Sequence, residues 1–265
     1  MDTIVRTDLT THFASIVSAH RDGLFLQGAL LDALTLHRQG SLTVTWSAFD
    51  HVPAEARLVI VGITPGRQQA ENALLAFRQA LAERASPAEA SRRAKNTGAF
   101  SGPLRGNLVA MGDHIGLPRV LGVRTIAEVF DPRHEFVHLT SALRYPVFVN
   151  DGNYNGSPDM LRTPVLRRMV EMHLAAEARA LTKALWLPLG PKPVAALAHL
   201  ARLGILDPDR VLDGLPHPSG ANAERIAYFL GRKPRAALSA KTSPEPLDAA
   251  RERLAACIAR LHPIA

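Results

Sequence analysis

The chain has 265 residues, 47% of them hydrophobic, and none of its apolar stretches reaches the roughly 18 residues of a membrane span. Its single cysteine, Cys257, excludes an internal disulfide and any all-cysteine metal or iron–sulfur site. The formal net charge of +7 favours a polyanionic partner, nucleic acid first, although an arginine- and alanine-rich composition alone also makes a chain basic. We therefore expect a cytoplasmic protein that has no membrane partner.

The first third of the chain combines helical and strand patterns. Apolar spacing predicts one or two helices over residues 9–37, and the alternation of residues 42–46 predicts a short strand. Residues 58–63 form a nearly continuous aliphatic run, which predicts a strand buried on both faces. That strand ends at residues 64–66 (TPG), and helical spacing resumes over residues 68–84.

Helices and strands alternate along the rest of the chain. Ser86, Pro87 and Glu89 predict a helix start, and we interpret the basic helix that follows as a solvated face rather than a DNA-contacting one. Two further buried strands are predicted at residues 136–143 and 184–190, and a fourth strand at residues 210–215. Further helices are predicted after the glycine-rich loop, to about residue 115, and at residues 164–182, 194–203, 222–230 and 247–262. The alternation predicts an α/β fold with three layers, α/β/α, and a central four-stranded, mainly parallel sheet.

The pattern predicts one domain over residues 1–265. Within it, we expect residues 1–50 to form an N-terminal helical extension and residues 247–262 a C-terminal helix. In open α/β folds, ligands bind just outside the carboxyl ends of the strands, where residues 64–66 lie. Two other loops could contribute to the same site: a glycine-rich loop around Phe100 and a polar loop at residues 150–158.

Four stretches, in order along the chain, resemble motifs of the uracil-DNA glycosylase superfamily. Residues 62–66 (GITPG) resemble the first signature motif and are closest to the GINPG of the mismatch-specific enzymes. Residues 100–106 (FSGPLRG) resemble the F-x-G-x-x-G stretch of the family 4 enzymes, and residues 139–144 (LTSALR) resemble the strand written T-N-A-x-K. Residues 217–222 (HPSGAN) resemble the second signature motif. The resemblance spans about residues 58–230.

The resemblance implies a monofunctional DNA glycosylase of base-excision repair, which works as a monomer without a metal or another cofactor. Such an enzyme must flip a base out of the duplex, and its partner would be DNA that contains uracil or another deaminated base. His217 would stabilise negative charge on the departing base, and Thr64 stands where the family places its water-positioning residue. The residues expected to contact the base are Gly62, Ile63, Pro65, Gly66, Phe100 and Ser141. The residues expected to contact DNA phosphates are Ser219, Gly220, Asn222 and Arg225. We expect this enzyme in the cytoplasm, associated with the nucleoid.

Two departures from the family pattern bear on the chemistry. Thr64 replaces an Asp or Asn, and a hydroxyl can hold a water but cannot take its proton, which typically costs about 10²–10⁴-fold in rate. Asp151, Asn155 and Gln68 are candidates for activating the water instead. Ser141 replaces the Asn that reads the uracil edge, and this loss predicts relaxed base choice.

Three alternatives remain open at the level of sequence. A catalytically inactive, DNA-binding member of the same superfamily would explain Thr64. A hydrolase or transferase of free nucleotides would not need salt-sensitive DNA binding. His217 could also be a purely structural residue in a proline-flanked turn.

Overall fold

The computed structural model describes residues 9–21, 23–99, 103–131 and 135–263, so the predicted contact Phe100 lies outside the described residues. Within these ranges the α-helices are α1 (Leu9–Ala19), α2 (Gly28–Leu34), α3 (Arg67–Ala82), α4 (Pro87–Gly98), α5 (Pro103–His114), α6 (Leu117–Leu121), α7 (Pro164–Met169), α8 (Ala175–Ala180), α9 (Pro191–Arg202), α10 (Ala223–Phe229) and α11 (Pro244–Arg260). The strands are β1 (Thr35–Gln39), β2 (Leu42–Thr45), β3 (Leu58–Gly62), β4 (Val137–Ser141), β5 (Val147–Val149), β6 (Gly152–Asn153) and β7 (Leu185–Pro188).

The α/β class is confirmed, and a parallel sheet organises the chain. Its order is β4-β3-β7, with β3 in the middle and in parallel register with both neighbours. All five residues of β3 are buried, so both faces of the sheet are covered, as the aliphatic run predicted. No helix of the described ranges is long and apolar enough to span a bilayer.

The predicted four-stranded parallel sheet is wrong, because the described sheet has three strands. The segment expected as its fourth strand, residues 210–215, forms only an isolated parallel bridge between Val211 and Trp186. The strand cannot continue because Gly214 has a φ of +139° and Pro216 has no N–H to donate to a neighbouring strand.

A second, antiparallel sheet has the order β1-β2-β5-β6. The sequence predicted only β2 of these strands. Strands β5 and β6 form a hairpin whose turn and second strand fall within the loop predicted at residues 150–158. Asn150 and Asp151 occupy its two-residue turn with φ values of +48° and +60°, which both side chains tolerate and which suits the twist of a tight hairpin.

The segment predicted as a helical extension contains strands as well as helices, and it packs into the hydrophobic core. Phe13 stacks on Trp46 with ring centroids 4.7 Å apart, and Trp46 meets Phe77 of α3 edge-on at 5.5 Å. Polar contacts add to this packing, because the Glu71 carboxylate accepts the backbone N–H groups of Phe25 and Leu26, each at 2.8 Å.

The helix predicted over residues 164–182 is present with one irregularity. A π-helical turn, Val170–Leu174, separates α7 from α8. Such turns occur often near functional sites. This one lies directly before the buried carboxylate of Glu177, described below.

Candidate functional site

A cleft of about 1070 Å³ lies at the carboxyl ends of the parallel strands. Residues 62–66 line it at the end of β3, Ser141 and Arg144 line it at the end of β4, and residues 189–192 line it after β7. Residues 213–219 close another side. The cleft therefore stands where open α/β folds bind ligands, and its volume is at the upper end of small-molecule sites, which run to about 1,000 Å³.

The loop after β3 is held by side chains from two other segments. The Thr64 hydroxyl donates to the backbone carbonyl of Tyr145 at 2.9 Å. The Gly66 N–H donates to Gln69 Oε1 and the Arg67 N–H donates to Asn153 Oδ1, each at 2.9 Å. Because the Thr64 proton is committed to a carbonyl, the oxygen of this hydroxyl can act towards the cleft only as an acceptor.

His217 lines the cleft with a defined tautomer. Its Nδ1 accepts the backbone N–H of Ser219 at 3.3 Å, which places the ring proton of a neutral imidazole on Nε2. Burial lowers the pKa of His217 below its ordinary value, so the ring is neutral at pH 7. The imidazole can therefore offer an Nε2–H donor without carrying a charge.

Neighbouring segments fix the loop that carries His217. The Asn107 side chain donates to the Pro218 carbonyl at 2.9 Å. Gly190, at a φ of +95°, packs so closely that an added Cβ would stand 3.2 Å from the Cβ of His217. Only glycine adopts this backbone conformation readily, and only glycine leaves His217 its present place.

Most of the described site residues that the sequence predicted meet at the cleft. They are Gly62, Ile63, Thr64, Pro65, Gly66, Ser141, Asn155, His217, Ser219, Asn222 and Arg225. The residues expected at DNA phosphates also contact one another: Arg225 donates to the Asn222 side-chain oxygen at 3.0 Å, and the Asn222 amide lies 3.4 Å from the Ser219 hydroxyl.

Three predicted residues do not line the cleft. Gly220 is exposed outside it. Gln68 lies on the outer side of α3, where its amide donates to Asn72 at 2.9 Å. Asp151 sits in the hairpin turn, where its backbone carbonyl accepts the Arg67 guanidinium at 3.1 Å.

The sequence reasoning missed several polar residues that line the cleft. These are Gln69, Lys95, Arg144, Asn153, Lys192, Asp213 and Lys241. Among the described residues that line the cleft, Asp213 is the one carboxylate. The sequence could have indicated Asp213 as a site residue by its position four residues before His217. The two residues flank the turn that replaces the fourth strand.

The helix that we interpreted as a solvated face buries its lysine. Lys95 is 3% exposed, and its ammonium donates to the carbonyls of Phe49 at 3.1 Å and His51 at 2.5 Å. Burial lowers the pKa of Lys95 to about 7, against the opposing attraction of Glu177. The sequence contained a sign of this burial that we missed. Small residues recur every four positions, at Ala90, Ala94 and Gly98, and indicate a closely packed helix face.

A buried charge network lies beneath the cleft. The Glu177 carboxylate accepts two bonds from the Arg144 guanidinium, at 2.6 and 2.9 Å, and contacts His138 Nε2 at 3.1 Å. Burial alone would raise the pKa of Glu177, but Arg144 and His138 outweigh burial and hold this pKa well below its ordinary value. Since Arg144 lines the cleft, the network fixes one wall of the site.

The described residues contain no cluster of three or more His, Cys, Asp or Glu side chains that could hold a metal ion. The described side chains that line the cleft offer a neutral imidazole, hydroxyls, amides, cations and one carboxylate.

No protein-family model matches the chain, and no solved structure does. Among curated proteins, the chain is similar to "Uncharacterized protein YoxB" of Bacillus subtilis (strain 168). The two sequences are 32% identical over 233 residues, which cover 87% of this chain and 91% of the relative. Because the alignment covers most of both chains at this identity, the two proteins are members of one family. The chain belongs to the family of YoxB.

Proposed function

We propose that this chain is a monofunctional DNA glycosylase that flips uracil, or another deaminated base, out of DNA and hydrolyses its N-glycosidic bond. The observation that carries the proposal is His217, which offers a neutral Nε2–H donor to a cleft shared with the Thr64 loop and Ser141. The motif resemblance supplies the substrate class. A cleft of about 1070 Å³ has room for a flipped nucleotide rather than a base alone.

The reaction needs a donor for the departing base. When the C1′–N bond breaks, the base leaves with the bonding electrons, and in uracil negative charge develops on the exocyclic oxygen O2. A fixed donor aimed at such an oxygen typically lowers the barrier by about 3 kcal/mol. We assign this role to the Nε2–H of His217, and a neutral ring suits it because no proton has to be shed first.

The reaction also needs a water at C1′. The Thr64 oxygen, whose proton is committed to Tyr145, can accept a hydrogen bond from that water and so hold it. The water must then lose a proton as its oxygen bonds to C1′. We assign proton acceptance to Asp213, because it is the carboxylate that lines the cleft while Asp151 lies outside.

The charge of the cleft supports a DNA substrate. Among the described residues that line it, Lys192, Arg225 and Lys241 stand beside a single carboxylate, that of Asp213. Lysine and arginine side chains at the surface bind phosphates by releasing condensed counterions, so the affinity should fall steeply with salt.

The test uses end-labelled oligonucleotides that are identical except for one uracil, hypoxanthine, xanthine or thymine, as single strands and as duplexes. After incubation, hot alkali cleaves the strand wherever a base has been removed. We expect scission at a deaminated base, with the rate reduced about 10²–10³-fold by His217→Ala and unchanged by replacement of the exposed His262.

Absence of scission on every substrate would contradict the glycosylase proposal. If a gel shift then still detected salt-sensitive DNA binding, the catalytically inactive, DNA-binding member of the superfamily would replace it, a candidate that Thr64 favours. If binding were also absent, an enzyme of free nucleotides would become the better proposal.

A further inference from the structure

Two amide side chains that the sequence reasoning missed border Gly66 inside the cleft. Gln69 comes from the first turn of α3, and Asn153 comes from strand β6 of the hairpin. Each uses its oxygen to accept one of two consecutive backbone N–H groups, those of Gly66 and Arg67, at 2.9 Å.

These bonds fix the orientation of both amides. A backbone N–H can only donate, so the atom that faces it must be the amide oxygen rather than the nitrogen. The two NH₂ groups must then point away from the backbone. Neither Asn153 Nδ2 nor Gln69 Nε2 has a hydrogen-bond acceptor among the described residues. Beside Gly66, the half-buried Gln69 and the exposed Asn153 therefore offer two oriented amide donors that no described residue accepts.

Gly66 keeps the space between these donors and the cleft open. A Cβ built on Gly66 would stand 3.5 Å from Asn153 Nδ2, so a larger side chain would cover the amide. The φ of Gly66 is −78°, a value that any residue adopts, so the backbone does not require glycine here. Glycine at this position therefore keeps the space beside the amide free and is not required by the backbone of the turn.

We propose that the Asn153 and Gln69 amides are specificity-determining residues that select a base with an exocyclic oxygen. This proposal rests on the proposed function, since it needs a flipped base in the cleft. Uracil, hypoxanthine and xanthine carry an exocyclic oxygen where cytosine, adenine and guanine carry an amino group. Two NH₂ donors bond to the oxygen and oppose the amino group, which is itself a donor.

The donors therefore distinguish a deaminated base from its parent without reading the rest of the ring. Ser141, at the position of the family's reading Asn, cannot do this alone, because a hydroxyl both donates and accepts. The arrangement accounts for relaxed choice among deaminated bases together with rejection of the amino-bearing bases from which they derive.

The test replaces each NH₂ donor by an acceptor of the same shape. Asn153→Asp and Gln69→Glu keep the oxygen that accepts the backbone N–H, and a carboxylate in the first turn of α3 also suits the helix dipole. The matched control is Asn72→Asp on the same helix, which introduces the same charge, retains the acceptor for the Gln68 amide and does not line the cleft.

Two readouts are measured on each variant. The first is single-turnover excision of uracil and hypoxanthine. The second is the ratio of gel-shift affinities for duplexes that carry 2′-fluoro-deoxyuridine or 2′-fluoro-deoxycytidine, whose glycosidic bonds resist hydrolysis. We expect Asn153→Asp and Gln69→Glu each to reduce excision about 10–100-fold and to reduce the uracil-over-cytosine affinity ratio by a similar factor. Asn72→Asp should change neither.

The outcomes separate the two proposals. Normal excision and an unchanged affinity ratio in both variants would overturn the role of the amides and leave the glycosylase proposal standing. Equal losses for the uracil and cytosine probes would also overturn it, because that result describes a structural role. If the wild type excised nothing but preferred the uracil probe, and Asn153→Asp abolished that preference, the amides would keep their role and catalysis would be refuted.

Discussion

At the scale of single residues, the chemistry of the cleft depends on where protons are already committed. Nδ1 of His217 already accepts the Ser219 N–H, and the Thr64 hydroxyl already donates its proton to the Tyr145 carbonyl. The imidazole is thereby left as a donor and the hydroxyl as an acceptor. Such a pair can hold a base and a water, but neither member can take a proton from the water while these bonds persist.

The identity of the residue that accepts the proton of the water is the sharpest test of the proposed mechanism. If Asp213 activates the water, Asp213→Asn should lower the single-turnover excision rate about 10²–10⁴-fold and leave DNA affinity within a few fold. The matched control is Asp209→Asn, an exposed carboxylate on the same connecting segment and outside the cleft.

An unchanged rate for Asp213→Asn would contradict this assignment. Loss of activity in Asp151→Asn or Asn155→Ala instead would return the role to the polar loop predicted from the sequence.

At the scale of elements, the end of β7 and the start of α9 determine the position of His217. Gly190 caps α9 with a φ of +95° and a ψ of 177°, a conformation that is essentially restricted to glycine. The close approach of this turn to His217 means that one backbone position couples the sheet to the loop that carries His217.

Replacement of Gly190 tests this coupling. Gly190→Ala should destabilise the fold by about 1–3 kcal/mol through backbone strain, and it should also slow excision because the new Cβ displaces His217. Urea denaturation and single-turnover excision measure the two effects separately.

The control for this experiment lies at the other end of the same helix. Gly204 also has a positive φ, +69°, but an added Cβ there meets nothing within 4 Å. Gly204→Ala should therefore cost stability and leave excision unchanged. Equal excision rates for the two variants would contradict the coupling.

At the scale of the whole molecule, a buried polar network joins the parallel sheet to the helices that cover it. Glu177 on α8 contacts His138 on β4 and the cleft-lining Arg144, and His173 lies in the π-helical turn before α8. Burial lowers the pKa of His138 and of His173 to about 4. Both imidazoles are therefore neutral in the folded protein at pH 5.

This network predicts loss of stability in mild acid. The unfolded chain protonates its histidines near pH 6.5, whereas the folded protein resists protonation down to about pH 4. The contribution of these two histidines to stability is thus complete above pH 6.5 and decreases as the pH falls towards 4, by roughly 2 kcal/mol per histidine at pH 5. Below pH 4.5, protonation of Glu177 in the unfolded chain adds to the loss.

Urea denaturation between pH 7 and pH 4.5 measures this dependence. His173→Phe keeps the aromatic contact with Tyr145 and removes one titrating group, so its stability should vary about half as much with pH. A wild-type free energy of unfolding that stayed constant down to pH 4.5 would contradict the buried, neutral histidines.

The sequence predicted the parallel strands because their chemistry is local. The largely apolar stretches that contain residues 58–62, 137–141 and 185–188 indicate burial without knowledge of any neighbour. The second sheet was only partly predictable, because β5 has three residues and its turn uses Asn150 and Asp151 in place of glycine. The missing fourth strand depends on Gly214 and Pro216, which end the pairing after a single bridge.

The candidate site, like the fold, has residues that the sequence could locate and residues that it could not. The motifs located Thr64, Ser141 and His217, all of which line the cleft. They could not locate the Asn153 donor, because its orientation depends on a bond to Arg67 across 86 positions of the chain. Contacts of that range come from tertiary folding, and no short pattern encodes them.

The guanidinium of Arg67 has a further consequence for how this protein can be divided. It donates to the Leu26 carbonyl at 2.7 Å and to Asp151 at 3.1 Å, and it lies over the Phe148 ring at 4.4 Å. One side chain thus clamps the N-terminal segment, the hairpin and the start of α3 against one another. The first 50 residues lie outside the motif resemblance, yet a fragment without them would lose Leu26 and strand β2, which pairs with β5 of the hairpin. We therefore expect such a fragment not to hold Asn153 in place.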